Sequence, residues 1–114
     1  MSTQPALPFS KTRQVGNTLY LSGELGFAED SSIPAGIEAQ TRNCLNRIKT
    51  TLEGEGLALS NVVSCTCYLT DKADFAQFNQ VYAEYFNSPL PVRTTVESGL
   101  MIDARVEITV IAAR

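Results

Sequence analysis

Apolar and polar residues alternate with period two in several stretches of this chain and recur with a period near 3.6 in two others. From Thr18 to Ser22, Leu19 and Leu21 share one side and Thr18, Tyr20 and Ser22 the other, as in a half-buried strand. Gly16-Asn17 separates this run from a strand-like Phe9–Gln14, and such a pair between two runs predicts a hairpin. The longest alternation spans Asn61 to Thr70, with Val63, Cys65, Cys67 and Leu69 on one side and Val62, Ser64, Thr66 and Tyr68 on the other. Val92–Ser98 and Arg105–Ala113 read as two further strands joined by a turn over residues 99–104. Ile37, Cys44, Leu45, Ile48 and Leu52 form one stripe at helical spacing, so a helix is expected from Pro34 to Glu55. Pro34 suits its first turn, Ser31 or Ser32 its cap, and Gly54 and Gly56 its end. A second helix is expected from Asp71, a good N-cap with Asp74 three residues later. It carries Phe75, Phe78, Tyr82, Tyr85 and Phe86 and stops before Ser88-Pro89-Leu90-Pro91, because a residue ahead of proline disfavours helix. Residues 1–8 hold two prolines and no pattern, and residues 26–34 read as a loop.

The order β-β-α-β-α-β-β predicts an α+β layer, a mixed sheet with two helices on one face. All of residues 1–114 read as one domain, in keeping with the length. The opposite sheet face has no helix to cover it. An apolar face left open in this way favours self-association, and a chain this short buries a smaller share of its surface than a longer one.

Composition narrows the chemistry. The chain contains no histidine, which excludes a Ser-His-Asp triad, a Cys-His pair and any histidine-bearing zinc site within it. Proton transfer near neutral pH must use a carboxylate, Tyr, Cys, Lys, a substrate group or water. The net charge is −3, the basic residues form no run, and a nucleic-acid partner ordinarily meets a basic stripe. Nucleic acid and anionic membrane are therefore not the expected partners. No apolar run approaches the roughly 20 residues of a membrane span. The three cysteines and an N-terminus without a secretory pattern point to a reducing, cytoplasmic setting. Cys65 and Cys67, two apart on one strand, place their Cα atoms roughly 6.5–7 Å apart, at or past the limit for a disulfide. Core packing is the reading for both.

Three groups of residues carry possible chemistry. Asn79 falls on the apolar stripe of the second helix; a buried amide there either ties down a loop or lines a pocket. Arg93, Thr95 and Glu97 share one side of their strand, and Arg105, Glu107 and Thr109 one side of theirs. If those strands form a hairpin, Arg93 and Glu107 become near-diagonal neighbours. The pattern fits a solvated face with cross-strand ion pairs. It also fits a guanidinium that grips a carboxylate beside an acid that activates water.

Four segments, taken together, resemble the RidA/YjgF family of enamine/imine deaminases. They are Gly16-Asn17-Thr18-Leu19-Tyr20-Leu21-Ser22-Gly23, Asp74-Phe75-Ala76-Gln77-Phe78-Asn79, Pro91-Val92-Arg93-Thr94-Thr95-Val96-Glu97 and Val106-Glu107-Ile108-Thr109-Val110-Ile111-Ala112. The resemblance implies a chorismate-mutase-like fold and a homotrimer with its sites in clefts between subunits. It implies hydrolysis of small 2-imino acids, which arise from enamines such as 2-aminoacrylate and 2-aminocrotonate, to 2-keto acids and ammonia. No metal or cofactor is implied. Position by position, Arg93 matches the arginine that holds the substrate carboxylate, and Glu107 matches the acid that positions water. Asn79 matches a site-lining asparagine, and Ser22 and Gly23 match a strand end beside the pocket. Phe9 stands where many members have tyrosine and Thr95 where many have cysteine, which bears on the substrate more than on the reaction. The rival readings are a non-catalytic, trimeric small-molecule-binding or chaperone-like member and an endoribonuclease. The acidic composition and the lack of histidine count against the latter.

Overall fold

A computed structural model describes residues 7–114 of the protein; most of the expected irregular start lies outside the described residues. Six strands and two helices follow in the order β1 (Thr12–Val15), β2 (Thr18–Leu21), β3 (Glu24–Leu25), α1 (Ile37–Gly54), β4 (Val62–Leu69), α2 (Phe75–Tyr82), β5 (Val92–Glu97) and β6 (Val106–Ala113). The strands form one mixed sheet in the order β1-β2-β6-β4-β5, with β3 pairing with β6 beyond β2. Both helices lie on one face. The α+β architecture expected from the pattern is the one observed.

The core lies between that sheet face and the helices. From α1 come Ile37, Cys44, Leu45, Ile48 and Leu52, the residues of the predicted stripe, and all are buried. They meet Leu19 and Leu21 of β2, Cys65, Cys67 and Leu69 of β4 and Val106, Ile108, Val110 and Ala112 of β6. Phe78 and Tyr82 of α2 complete the layer together with Phe86. Cys65 and Cys67 are core residues with free thiols. Burial, then the neighbouring Cys65, pushes the Cys67 thiol up to about 12, so it is no nucleophile near neutral pH.

Several boundaries differ from the pattern reading, each for a physical reason. The β1 strand starts at Thr12 and leaves Phe9 outside the sheet. Gly16, at φ +59°, makes the tight turn into β2. The α1 helix starts at Ile37 behind Gly36, with no side-chain cap. Ser31 adopts a left-handed φ of 69° and Ser32 closes a turn on Asp30, so both serve the loop. Buried Gln40 takes over the anchoring, donating to the Pro34 carbonyl at 2.8 Å and accepting from the Arg105 amide at 2.8 Å. Gly56, at φ +75°, ends the α1 turn as expected. Asp71 does cap, but it caps a short 3-10 turn over Lys72–Asp74, accepting from the Ala73 amide at 2.9 Å. The α2 helix then begins at Phe75 and ends at Tyr82, short of the proline segment. Asp74 pairs with Arg105 at 2.9 Å instead of closing a capping box. A register shift between Val62 and Ser64 turns Val62 into the core and leaves Val63 exposed.

The open sheet face carries exposed aliphatic residues, Val15, Val92 and Val96 among them, as the pattern leads one to expect, and polar groups beside them. Thr66 and Tyr68 of β4 pair with Thr109 and Glu107 of β6, and Tyr20 of β2 pairs with Ile111. This face is therefore mixed, with hydroxyls, two tyrosines and a carboxylate set among exposed aliphatic groups.

Candidate active site

The largest correction concerns the last two strands. They do not form a hairpin. The β5 strand runs parallel to β4, and β4 lies between β5 and β6. Arg93 is level with Cys65 and Thr95 with Cys67, so both side chains stand on the helix face. Glu107 is level with Tyr68, on the open face. Arg93 and Glu107 therefore lie on opposite sides of the same sheet and are not neighbours within one chain.

Arg93 sits on edge strand β5, where the α2 aromatics reach it. Its guanidinium carbon lies 4.7 Å from the Tyr82 ring centroid, 5.5 Å from that of Phe78 and 5.7 Å from that of Phe75. Spacings of three and four residues put these rings on one face of the helix, and cations are attracted to ring faces at these distances. Among the described residues Arg93 forms no ion pair, whereas Arg42, Arg47 and Arg105 each hold a carboxylate. A half-buried guanidinium without an acid is an anion site in waiting.

The guanidinium borders a groove of about 490 Å³ lined by Asn79, Tyr82, Ala83, Phe86, Leu90, Pro91 and itself. The groove is mostly apolar, and Asn79 is its amide. Asn79 Oδ1, Tyr82 OH and Thr95 Oγ1 are all buried without a hydrogen-bond partner among the described residues. The structure thus brings Arg93 and Asn79 together in one groove, with Thr95 one step further along the same face of β5. It does not bring Ser22, Gly23, Phe9 or Glu107 to them.

Gly23 and Glu107 form a second cluster, set by β2, β3 and β6, with Ser22 next to Gly23 and the segment that carries Phe9 tied to Ser22. Gly23 lies against Glu107. A Cβ there would overlap Glu107 Oε2 and come within 3.2 Å of Thr109 Oγ1. Only a residue without a side chain lets the Glu107 carboxylate occupy this position. Glu107 forms no ion pair among the described residues. The Ser22 hydroxyl is already engaged: it donates to the Ser10 carbonyl at 2.6 Å and so ties down the segment that carries exposed Phe9. Ser10 and Lys11 are held at the strand end by this bond and by the Ser22 amide, which donates to the Lys11 carbonyl at 2.9 Å. Tyr82 lines the first cluster and Thr109 stands beside the second. Tyr82 reads from sequence as core, and Thr109 as the neighbour of Glu107 on an alternating strand.

Gly23→Ala tests the second cluster. The clash falls on the end of a flexible side chain rather than on backbone, so we expect stability to change by less than about 1 kcal/mol. The displaced carboxylate should cost activity at least tenfold. A variant with wild-type activity would separate Glu107 from the chemistry.

Comparison with known proteins settles the lineage. A family model described as "Endoribonuclease L-PSP" matches residues 1–114. The chain belongs to the RidA/YjgF family. It is 40% identical to a RutC family protein of Sulfurisphaera tokodaii, over 97% of this chain and 91% of that one. It is 35% identical to a 2-iminobutanoate/2-iminopropanoate deaminase of Dermatophagoides farinae, over 95% of this chain and 87% of that protein. Among solved structures, RidA from an Antarctic Psychrobacter superposes with a TM-score of 0.91 at 34% identity, covering 97% of this chain and 92% of that one. As a RidA/YjgF member, the chain carries an α+β fold that matches those structures over nearly its whole length.

Proposed function

We propose that this protein hydrolyses small 2-imino acids to 2-keto acids and ammonia, in clefts between the subunits of a homotrimer. The observation that carries the reading is Arg93: a half-buried guanidinium with no acid partner among the described residues, over aromatic rings at the edge of an apolar groove. It suits a substrate that brings one carboxylate and a short carbon chain. The relative named as a 2-iminobutanoate/2-iminopropanoate deaminase supports the same reaction class.

The chemistry asks little of the protein, because a 2-imino acid is already an electrophile at C2. Arg93 grips the carboxylate in a fork. Glu107 holds a water, accepts one of its protons as the oxygen bonds to C2, and returns that proton to nitrogen. The same carboxylate carries the second proton from the new hydroxyl to nitrogen, the C–N bond breaks, and nitrogen leaves as ammonia while the keto group forms. Asn79 and Thr95 line the anchor side; Ser22, Gly23 and Phe9 line the water side. Placement and one proton relay supply a modest acceleration without a metal or cofactor.

Two halves on opposite faces of one sheet cannot both touch a molecule of four carbons. A second copy must supply one of them, Arg93 from one subunit meeting Glu107 from its neighbour. Such a head-to-tail contact closes into a ring when the rotation allows, and a ring of three is what the family resemblance implies. The mixed open face, with Tyr20, Tyr68 and Glu107, is the surface expected to meet the neighbouring copy. An RNA substrate is not supported. Three of the six arginines are engaged in ion pairs, and no basic stripe remains for a phosphate backbone.

An amino-acid oxidase that generates 2-iminobutanoate from 2-aminobutanoate provides the assay. Imine loss should accelerate in proportion to added protein. An imine lifetime that is the same with and without the protein would reject the reading.

A further inference from the structure

An arginine side chain has many rotamers, and holding one in place costs roughly 2 kcal/mol of side-chain entropy. A site arginine is ordinarily held by an acid. Arg93 has none among the described residues; its guanidinium lies instead over aromatic rings, nearest to that of Tyr82 at 4.7 Å. That ring is itself fixed. Its centroid lies 4.8 Å from that of Phe86 and 5.7 Å from that of Phe78, and the residue is only 9% exposed. The Tyr82 hydroxyl is buried beside the Cys65 thiol and forms no well-aligned hydrogen bond among the described residues. What the residue does offer is a rigid, electron-rich face directed at the one unpaired cation of the groove.

We propose that Tyr82 is a positioning residue whose ring, rather than its hydroxyl, sets the Arg93 guanidinium at the groove and thereby sets affinity for the substrate carboxylate. Phe75 and Phe78 complete the cradle from either side. Phe75 is 45% exposed and Phe78 fully buried, so the cradle runs from solvent to core with Tyr82 at its centre. An acid in place of these rings would compete with the substrate for the fork. Aromatic faces hold the cation and leave its N–H donors free. This inference rests on Arg93 being the carboxylate anchor.

The test compares wild type, Tyr82→Phe, Tyr82→Leu and Arg93→Ala in the oxidase-coupled assay and in binding of 2-oxobutanoate. Tyr82→Phe should keep KM and the 2-oxobutanoate Kd within about twofold. Tyr82→Leu should raise both by about five- to thirtyfold, with kcat changing less. In wild type, the NMR signal of the Arg93 Nε–H should be shifted upfield by the ring, and the shift should persist in Tyr82→Phe. Wild-type constants in Tyr82→Leu, alongside an inactive Arg93→Ala, would overturn this inference and leave the anchor standing. An equal rise in both Tyr82 variants would assign the effect to the hydroxyl and overturn it as well. Full activity in Arg93→Ala would overturn anchor and cradle together. Should Tyr82→Leu fail to fold, an Arg93 Nε–H at the position of free arginine in wild type still refutes the cradle.

Discussion

Arg93→Ala is expected to lower kcat/KM for 2-iminobutanoate by about a hundredfold or more and to leave the fold intact. The size follows from what is lost. A hydrogen bond to a charged group contributes about 1.5–3 kcal/mol, and a fork makes two. At about 1.4 kcal/mol for each tenfold, two such bonds exceed a hundredfold. The fold should tolerate the change because Arg93 holds no acid among the described residues and lies on edge strand β5; the loss is confined to stacking on Phe75, Phe78 and Tyr82. Arg93→Lys keeps the charge but neither the fork nor the flat stacking surface, so activity between the two is expected. The check is the oxidase-coupled assay beside a thermal melt. An Arg93→Ala protein with wild-type kcat/KM would remove the anchor from the mechanism.

Much of the fold follows from local pattern because local pattern is what buries it. The stripe of Ile37, Cys44, Leu45, Ile48 and Leu52 has one helical solution, and all five residues are buried where it points. Alternation in β4 and β6 assigns Cys65, Cys67, Ile108 and Val110 to the core for the same reason. Pairing between strands is a different matter. Val92–Ser98 and Arg105–Ala113 are adjacent in sequence with a short connection, which ordinarily means a hairpin. Here β4, eight residues long with a buried apolar face, inserts between them. It buries both its neighbours' flanks and takes β5 in parallel, a choice that depends on the whole sheet and leaves no mark on either strand alone. That choice moves Arg93 and Glu107 from one face to two. The fine positions of helix ends escape for a related reason: Gln40 ties the start of α1 to the Pro34 carbonyl and to the Arg105 amide, 65 residues away, a contact that no local pattern records.

The site was legible as residue types and obscure as geometry. Arg93, Asn79 and Glu107 stand out because charge or amide on an alternating or helical pattern needs explanation. Tyr82 does not, since an aromatic at helical spacing reads as core; its second role appears only when the guanidinium is seen over its face. Gly23 is similar. Nothing in a strand-ending Ser-Gly announces that a carboxylate fills the space its side chain would occupy.

Each site is expected to take Arg93 from one subunit and Glu107 from another. Glu107→Gln keeps the shape of the side chain but cannot accept the proton from water, and it should be as inactive as Arg93→Ala. The decisive measurement mixes the two inactive proteins, dissociated and reassembled in equal amounts, and assays the mixture for 2-iminobutanoate hydrolysis. Random reassembly into rings gives about a quarter of the interfaces an intact Arg93 facing an intact Glu107. Recovery of roughly that share of wild-type activity is the predicted result. A reassembled mixture as inactive as its two parents would contradict a site shared between subunits.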